Sequence, residues 1–408
     1  MKRIKLSPIT RMRMNRFKSI KRGYYSFWLL IALTLLSFAG ELFINSKALM
    51  VKYEGKLYFP VLRSIPGISK QYKGSDFGED YTYEAKYREL QQKWKDADSG
   101  NWVLMPLVPY SAGESDPIEM TALRNMEQEL DSRLAASIAA AKSEIADPAE
   151  LDMRLQELTY MRDKESFQLF KRAFHPLPPN AATRHFLGTD KIGRDILARL
   201  VFGYRIAIIF SLILMLFNYG IGVTVGCSMG YFGKWIDLLG QRLIEILSRV
   251  PFIYIIMIAS TIYGRSFGLL LGLMVLFGWM GATWQMRTAT YREKARDYIM
   301  AARSLGASNA RIIFVHIIPS TISLLVTFIP FSISGSIIGL TSLDFLGFGL
   351  PPGTPSWGEL MKMGTENMDS PWIVSSVVGA MVLILFLVNL VGEAVREAFD
   401  PKKFTQYE

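Results

Sequence analysis

The chain has 408 residues, half of them hydrophobic, with a mean hydropathy of +0.21 and 46 Lys and Arg against 36 Asp and Glu. This composition excludes a disordered chain and a collagen-like one, and with Cys227 as the sole cysteine it excludes a disulfide-built scaffold. The net charge of +10 is uneven: residues 1–23 carry +9 with no acid, and the rest hold 37 bases and 36 acids. Such a tail suits nucleic acid or a membrane surface. The uncharged run 24–39 that follows selects the membrane, so no nucleic-acid partner is expected.

A helix needs about 20 apolar residues to cross a hydrocarbon core of about 30 Å. Residues 206–233, 266–286 and 370–392 have no charge, and 312–343 carry only His316. With 24–44 and a Pro251-kinked stretch that continues the amphipathic segment 235–248, these predict six spans. Their expected limits are 24–44, 206–229, 240–263, 266–286, 316–340 and 370–392. A cleaved signal ending at Ala39 is the alternative for the first, but apolar Leu42, Phe43 and Ile44 continue past it. Short cytoplasmic loops collect Lys and Arg, and placing the N-terminus inside gives the inside segments +13. The long outside segment 45–205 then holds 23 bases against 23 acids, and both termini are expected in the cytoplasm.

The outside segment is long enough for a domain of its own. Its first part (VKYEGKLYFPVL, SDFGEDYTYEAKY) reads as short strands and turns. Residues 117–172 switch to helical spacing. Leu123, Met126, Leu130, Leu134, Ile138, Ala141 and Ile145 form one face, Asp147-Pro148 breaks it, and Leu151, Leu155 and Leu158 form a second. Ser115-Asp116-Pro117 supplies an N-cap and a first-turn proline, so a helical hairpin is expected. The predicted fold is an all-α polytopic membrane protein with an extracytoplasmic α+β insertion containing this hairpin.

Between the fourth and fifth spans lies the loop 287–311, part of EKARDYIMAARSLGASNARIIFVHIIPS. Asp297 to Leu305 reads as a short helix with small Ala301 and Ala302, Gly306 ends it, and Arg311 opens the next helix. Arg296, Arg303 and Arg311 offer cations to an acidic partner, and Pro319 stands where the chain enters the next span. Before the second span, Thr189 or Asp190 is placed to cap a helix from Lys191, with Arg194, Asp195 and Arg199 available for internal ion pairs. Gly220, Gly222, Gly226 and Gly230 with Ser228 give the second span a small-residue face suited to close packing.

These stretches resemble the membrane-spanning subunits of ATP-binding-cassette importers, whose mark is a cytoplasmic EAA–x3–G–x9–I–x–L–P loop. Ala301, Ala302, Gly306 and Pro319 fall at the expected spacing; Met300, His316 and Ile318 replace the glutamate, isoleucine and leucine. By this resemblance Arg296, Asp297, Ala301, Ala302, Arg303, Gly306, Ala307, Arg311 and Pro319 form the ATPase-coupling loop. HFLGTDKIGRDILARLVFGYRIAI resembles the GTDxxGRDxxxRxxxGxR signature of dipeptide and oligopeptide permeases of the second-subunit type, through Gly188, Thr189, Asp190, Gly193, Arg194 and Asp195. TSLDFLGFGLPPGTPSWGEL and GEAVREAFDP are similar to the subgroup that imports microcin C-like antibiotics and related oligopeptides, and the hairpin looks like an insertion relative to the shorter members of the family. The resemblance implies an inner-membrane permease of a bacterium. It would form a heterodimer with a homologous permease, and ATPase subunits and a periplasmic peptide-binding protein would serve it.

No GxxxxGK[ST] phosphate loop is present, since Gly230 to Lys234 fails the spacing, so the chain is not expected to hydrolyse ATP. His175, His185 and His316 are scattered, and no metal or cofactor is expected. No acid falls at a span midpoint, which argues against a proton-driven carrier. A membrane receptor with an outside ligand-binding domain is the alternative, but only about 16 residues follow the last span, too few for an output domain.

Overall fold

The computed structural model describes residues 8–64, 71–97, 100–114, 117–145, 147–173 and 176–399, which form two compact units. The first comprises residues up to 38, 202–362 and those from 377 on; the second comprises 39–201 and 363–376.

The first unit is helical. Pro8–Ser19 (α1) and Lys21–Phe38 (α2) lead in, and Ile196–Phe232 (α7) supplies its long central helix, the second unit holding α3 to α6 and the start of α7. Lys234–Arg249 (α8), Phe252–Tyr263 (α9), Phe267–Lys294 (α10) and Asp297–Ser304 (α11) follow. Next come Asn309–Arg311 (α12), a wide π turn over Ile312–Ile317, Ile318–Phe345 (α13), Trp357–Glu366 (α14) and Pro371–Phe399 (α15). Pro319 accounts for the wide turn. It lacks the N–H that would reach the carbonyl of Val315, and the N–H of Ile318 instead bonds Ile313, five residues back.

Among the described residues four helices are long and apolar enough to cross a membrane: Ile196–Phe232, Phe267–Lys294, Asn309–Phe345 and Pro371–Phe399. A fifth crossing results if α8 and α9, bent by 69° at their break, act as one. This differs from the six expected spans in two places. The stretch 240–263 is not one kinked helix, because Pro251 cannot donate into the ladder and α8 ends before it. The stretch 24–44 divides at Ala39, and α2 opens on Lys21 and Arg22, leaving about 24 Å of uncharged helix. Elsewhere the helices overrun their expected limits by one to several turns.

Close helix contact organises this unit. A Cβ on Gly222 would sit 2.7 Å from the Trp279 carbonyl oxygen, on Gly226 2.5 Å from that of Thr283, and on Gly230 2.8 Å from that of Arg287. Gly222, Gly226 and Gly230, four residues apart, therefore hold α7 against the backbone of α10, as small-residue interfaces do in membranes. Gly220 faces open space, and Ser228 bonds back to the Thr224 carbonyl of its own helix, so these two lie outside the contact. Asp237 of α8 accepts from the Arg287 guanidinium, the Tyr291 hydroxyl at 2.7 Å and Gln241 at 2.8 Å. In the segment 341–360, the Asp344 carboxylate accepts the Leu350 N–H and the Ser356 hydroxyl, and the Trp357 ring stacks on Tyr204. Those residues order the turn between α13 and α14.

In the second unit, strands Met50–Tyr53 (β1), Lys56–Tyr58 (β2) and Trp102–Leu104 (β3) form an antiparallel sheet of order β2-β1-β3, with Val51 opposite Val103. Its inner face packs with Phe77 and with Leu90 and Trp94 of Tyr87–Ala97 (α4). Gly40–Phe43 (α3) precedes the sheet. Pro117–Glu144 (α5) and Pro148–Ala173 (α6) pair as a hairpin. Leu130 and Ala141 are buried and Leu134, Ile138, Leu151, Leu155 and Leu158 half-buried, but Met126 is exposed. The cap residues Ser115 and Asp116 lie outside the described residues. Asp147 starts α6 instead, its carboxylate accepting from the Ala149 N–H at 3.2 Å.

Replacing Gly226 by Val should separate α7 from α10, because the new Cβ meets backbone rather than a movable side chain. A loss of about 1–3 kcal/mol is expected, read as a lower thermal midpoint of the purified protein, while Gly220→Ala stays within about 0.5 kcal/mol.

Candidate functional site

The loop between α10 and α13 is held by one buried residue and one aromatic hub. Ile299 of α11 is 1 % exposed, in a core with Cys227, Tyr231, Met286, Ile312, Ile313, Ile317 and Leu325. The helix ends in a Schellman motif: Gly306 N–H bonds the Arg303 carbonyl at 3.0 Å, and Ala307 N–H bonds that of Ala302 at 3.0 Å. Gly306 takes φ +82°, a left-handed geometry that a Cβ would strain. Ser308 then caps α12 by accepting from Arg311 N–H at 3.3 Å.

Tyr231, one residue past the glycine row of α7, is the hub. Its hydroxyl donates to Asn309 at 2.9 Å and accepts from Arg303 at 3.2 Å, its carbonyl accepts from Lys294, and Arg303 and Lys294 lie over its ring. Tyr298 donates to Glu293 at 2.9 Å and meets Ser320 at 3.3 Å, tying α11 to the end of α10 and the start of α13. Burial, and beyond it the hydrogen bond to the Glu293 carboxylate, raises the Tyr298 phenol above its ordinary pKa, so it remains a donor.

The three cations expected to face a partner are all exposed, and two of them also brace the helix. Arg303 serves Tyr231, and Arg296 pairs with Glu293 at 3.1 Å. Outward, α11 and its C-cap present an apolar patch of Met300, 52 % exposed, Ala301, and Leu305, 88 % exposed, beside the exposed Asp297, Tyr298, Arg303 and Ser304. Ala302 and Ala307 are half-buried and Pro319 exposed. Tyr231 and Leu305 were missed in the sequence because a lone tyrosine in a span and a leucine before a glycine each have an ordinary packing reading.

The second constellation lies in the second unit. Helix α7 begins at Ile196, and its cap is Asp195, whose carboxylate accepts Ala198 N–H at 2.8 Å; neither Thr189 nor Asp190 caps a helix at Lys191. Asp190 instead closes a turn, accepting from the N–H groups of Ile192 and Arg194 at 3.0 Å. Its other oxygen takes Arg194 Nε at 2.7 Å and lies 3.8 Å from Arg199 Nε. Asp195 also meets His185 Nδ1 at 2.8 Å, and the imidazole stacks on Tyr110 at 3.9 Å. Thr189 exchanges two 2.9 Å hydrogen bonds with Leu177. Gly188, with φ +80°, leaves no room for a Cβ, which would lie 2.5 Å from the Leu177 carbonyl oxygen and 2.8 Å from Trp372 Nε1. Gly193 forms the turn whose N–H bonds the Asp190 carbonyl.

His185, Thr189, Asp190, Arg194, Asp195 and Arg199 are all at most 4 % exposed. The cluster holds two carboxylates and two guanidiniums, with Asp190 against both guanidiniums and Asp195 against His185, so burial of the charges is offset inside the cluster. The signature residues thus pack together, out of contact with solvent, at the start of α7. Among the described residues no group of three His, Cys, Asp or Glu is placed to hold a metal.

Residues 222–405 match the family of binding-protein-dependent transport system inner membrane components. The chain is 35 % identical over 402 residues to the peptidoglycan transport system permease protein YejE of Agrobacterium fabrum, covering 98 % of this chain and 95 % of that one. It is 35 % identical over 399 residues to the inner membrane ABC transporter permease protein YejE of Escherichia coli, covering 98 % and 99 %. The chain belongs to this permease family. The permease is also 33 % identical over 231 residues to the oligopeptide transport system permease protein OppC of Mycobacterium tuberculosis H37Rv, covering 56 % of this chain and 79 % of that one. It is thus a multi-pass inner-membrane permease subunit of an ABC importer.

Breaking the buried cluster tests its role in the permease. Asp190→Asn leaves the Arg194 and Arg199 charges without their carboxylate and should cost about 3–5 kcal/mol, seen as early proteolysis of the second unit. Lys191→Ala, which removes only the exposed pair with Glu366, should stay within about 1 kcal/mol.

Proposed function

We propose that this permease carries oligopeptides, including peptide antibiotics of the microcin C kind, across the inner membrane, driven by ATPase subunits that dock on α11. The observation that carries the proposal is the build of α11. An apolar outer face of Met300, Ala301 and Leu305 stands on a helix locked from beneath by Ile299 and Tyr231. An exposed leucine on an otherwise anchored short helix suits insertion into a partner's groove. The peptide cargo is supported by the relatives, one named for oligopeptide and one for peptidoglycan transport.

In this reading six spans cross the membrane, α2 completing the count, with both termini cytoplasmic and residues 45–205 in the periplasm. The +4 charge of 287–311 and the +9 of 1–23 favour that orientation. A homologous permease forms the other half of the path, and a periplasmic binding protein delivers the peptide. The hairpin α5–α6, with exposed Met153, Tyr160 and Met161, is offered to that binding protein or to the second permease.

Coupling follows from the hydrogen bonds. Force on α11 reaches α7 through Arg303 and Tyr231, α10 through Tyr298 and Glu293, and α13 through Ser320. ATPase closure would thereby bias the bundle between inward-open and outward-open arrangements.

Gly306→Val places a β-branched residue in a left-handed geometry and should abolish peptide uptake while the protein still inserts in the membrane. Leu305→Asp should weaken co-purification of the ATPase at least about tenfold. Wild-type uptake and co-purification in both variants would reject α11 as the coupling element.

A further inference from the structure

The first unit has a half-open apolar cavity of about 750 Å³ between α1, α2, α7, α13 and α15. Its walls include Ile31 and Leu35 of α2, Ile208 and Leu212 of α7, and Ile329 and Val391 of α13 and α15. The volume is that of a site for a sizeable small molecule. At one end the lining changes to Thr10, Arg13, Met14 and Phe17 of α1. Helix α1 carries Arg11, Arg13, Arg16 and Lys18 and no acid.

Arg13 is the informative residue. Its guanidinium lies over the Phe399 ring, 4.7 Å from the centroid. Its Nε is shut off from solvent and, among the described residues, has no hydrogen-bond acceptor. An arginine at the mouth of an apolar cavity, with an N–H unused, calls for an anion joined to a long apolar body. In a membrane protein the abundant molecule of that chemistry is an anionic phospholipid, and a row of cations beside an apolar surface is how such headgroups are held.

We propose that this cavity is a site for an anionic phospholipid, with an acyl chain between α2, α7 and α13 and the phosphate on Arg13. Occupied, the lipid fastens α1 to the bundle and fills the space between the helices that frame it. Polar solutes are poor candidates, because among the described residues Arg13 is the only charged one in the lining.

The test uses the full chain purified in mild detergent and reconstituted in nanodiscs of phosphatidylglycerol or phosphatidylcholine. Native mass spectrometry should find retained phosphatidylglycerol on the wild type, and the thermal midpoint should rise in phosphatidylglycerol over phosphatidylcholine. Arg13→Ala should lower the retained lipid about fivefold and remove the difference between lipids. Arg13→Lys should keep much of both, which separates loss of charge from misfolding. Ile208→Trp, which fills the cavity from α7, should expel the lipid with Arg13 intact. Equal retention of the two lipids by the wild type, or unchanged retention in both Arg13→Ala and Ile208→Trp, would overturn the proposal. So would a cross-link between a cysteine at Leu212 and a homologous permease in the assembled transporter, since a protein helix would then occupy the cavity.

Discussion

The approach of α7 to α10 is set by three missing side chains. At Gly222, Gly226 and Gly230 the facing carbonyls of α10 stand where a Cβ would be, so the two helices meet backbone to backbone. In a bilayer, lipid tails are as apolar as leucine, and such contact supplies the packing that hydrophobic burial supplies in water. Tyr231 follows the last of these glycines directly. Its position over Lys294 and Arg303 is therefore a consequence of the glycine row, and α11 inherits its placement from it.

The two stretches that carry the motifs handle charge in opposite ways. In the second unit, Asp190, Asp195, Arg194 and Arg199 are withdrawn from water together, and their mutual neutrality makes the burial tolerable. Around α11 the charges stay near the surface and brace the helix: Arg296 against Glu293, Arg303 against Tyr231. Exposed pairs of that kind add little stability. Their use lies in orientation, leaving Met300 and Leu305 on the outward surface.

Much of this was legible beforehand because its signals are local. Uncharged runs of twenty residues, the Gly306 stop and the four-residue spacing of the glycines each depend on backbone physics alone. Where the sequence misled, a distant partner decided. Asp190 has the look of an N-cap, yet it closes a turn and meets Arg194 because Asp195 already caps α7. Arg303 looks like a free cation until Tyr231, 72 residues away, is brought beneath it. His185 read as scattered because both its neighbours, Asp195 and Tyr110, are set by the tertiary fold.

The break at Pro251 shows how one residue can alter the architecture. The composition of 240–263 is that of a membrane helix, and only the proline's missing N–H and fixed φ divide it. The charged residues of α8 follow from that division. With a 69° bend, α8 need not share the axis of α9, and Asp237 can turn to Arg287 of α10. The acid just before the expected span is thus neutralised where α8 meets α10. The bend that removes an uninterrupted crossing at this place is the same one that gives the charge its partner.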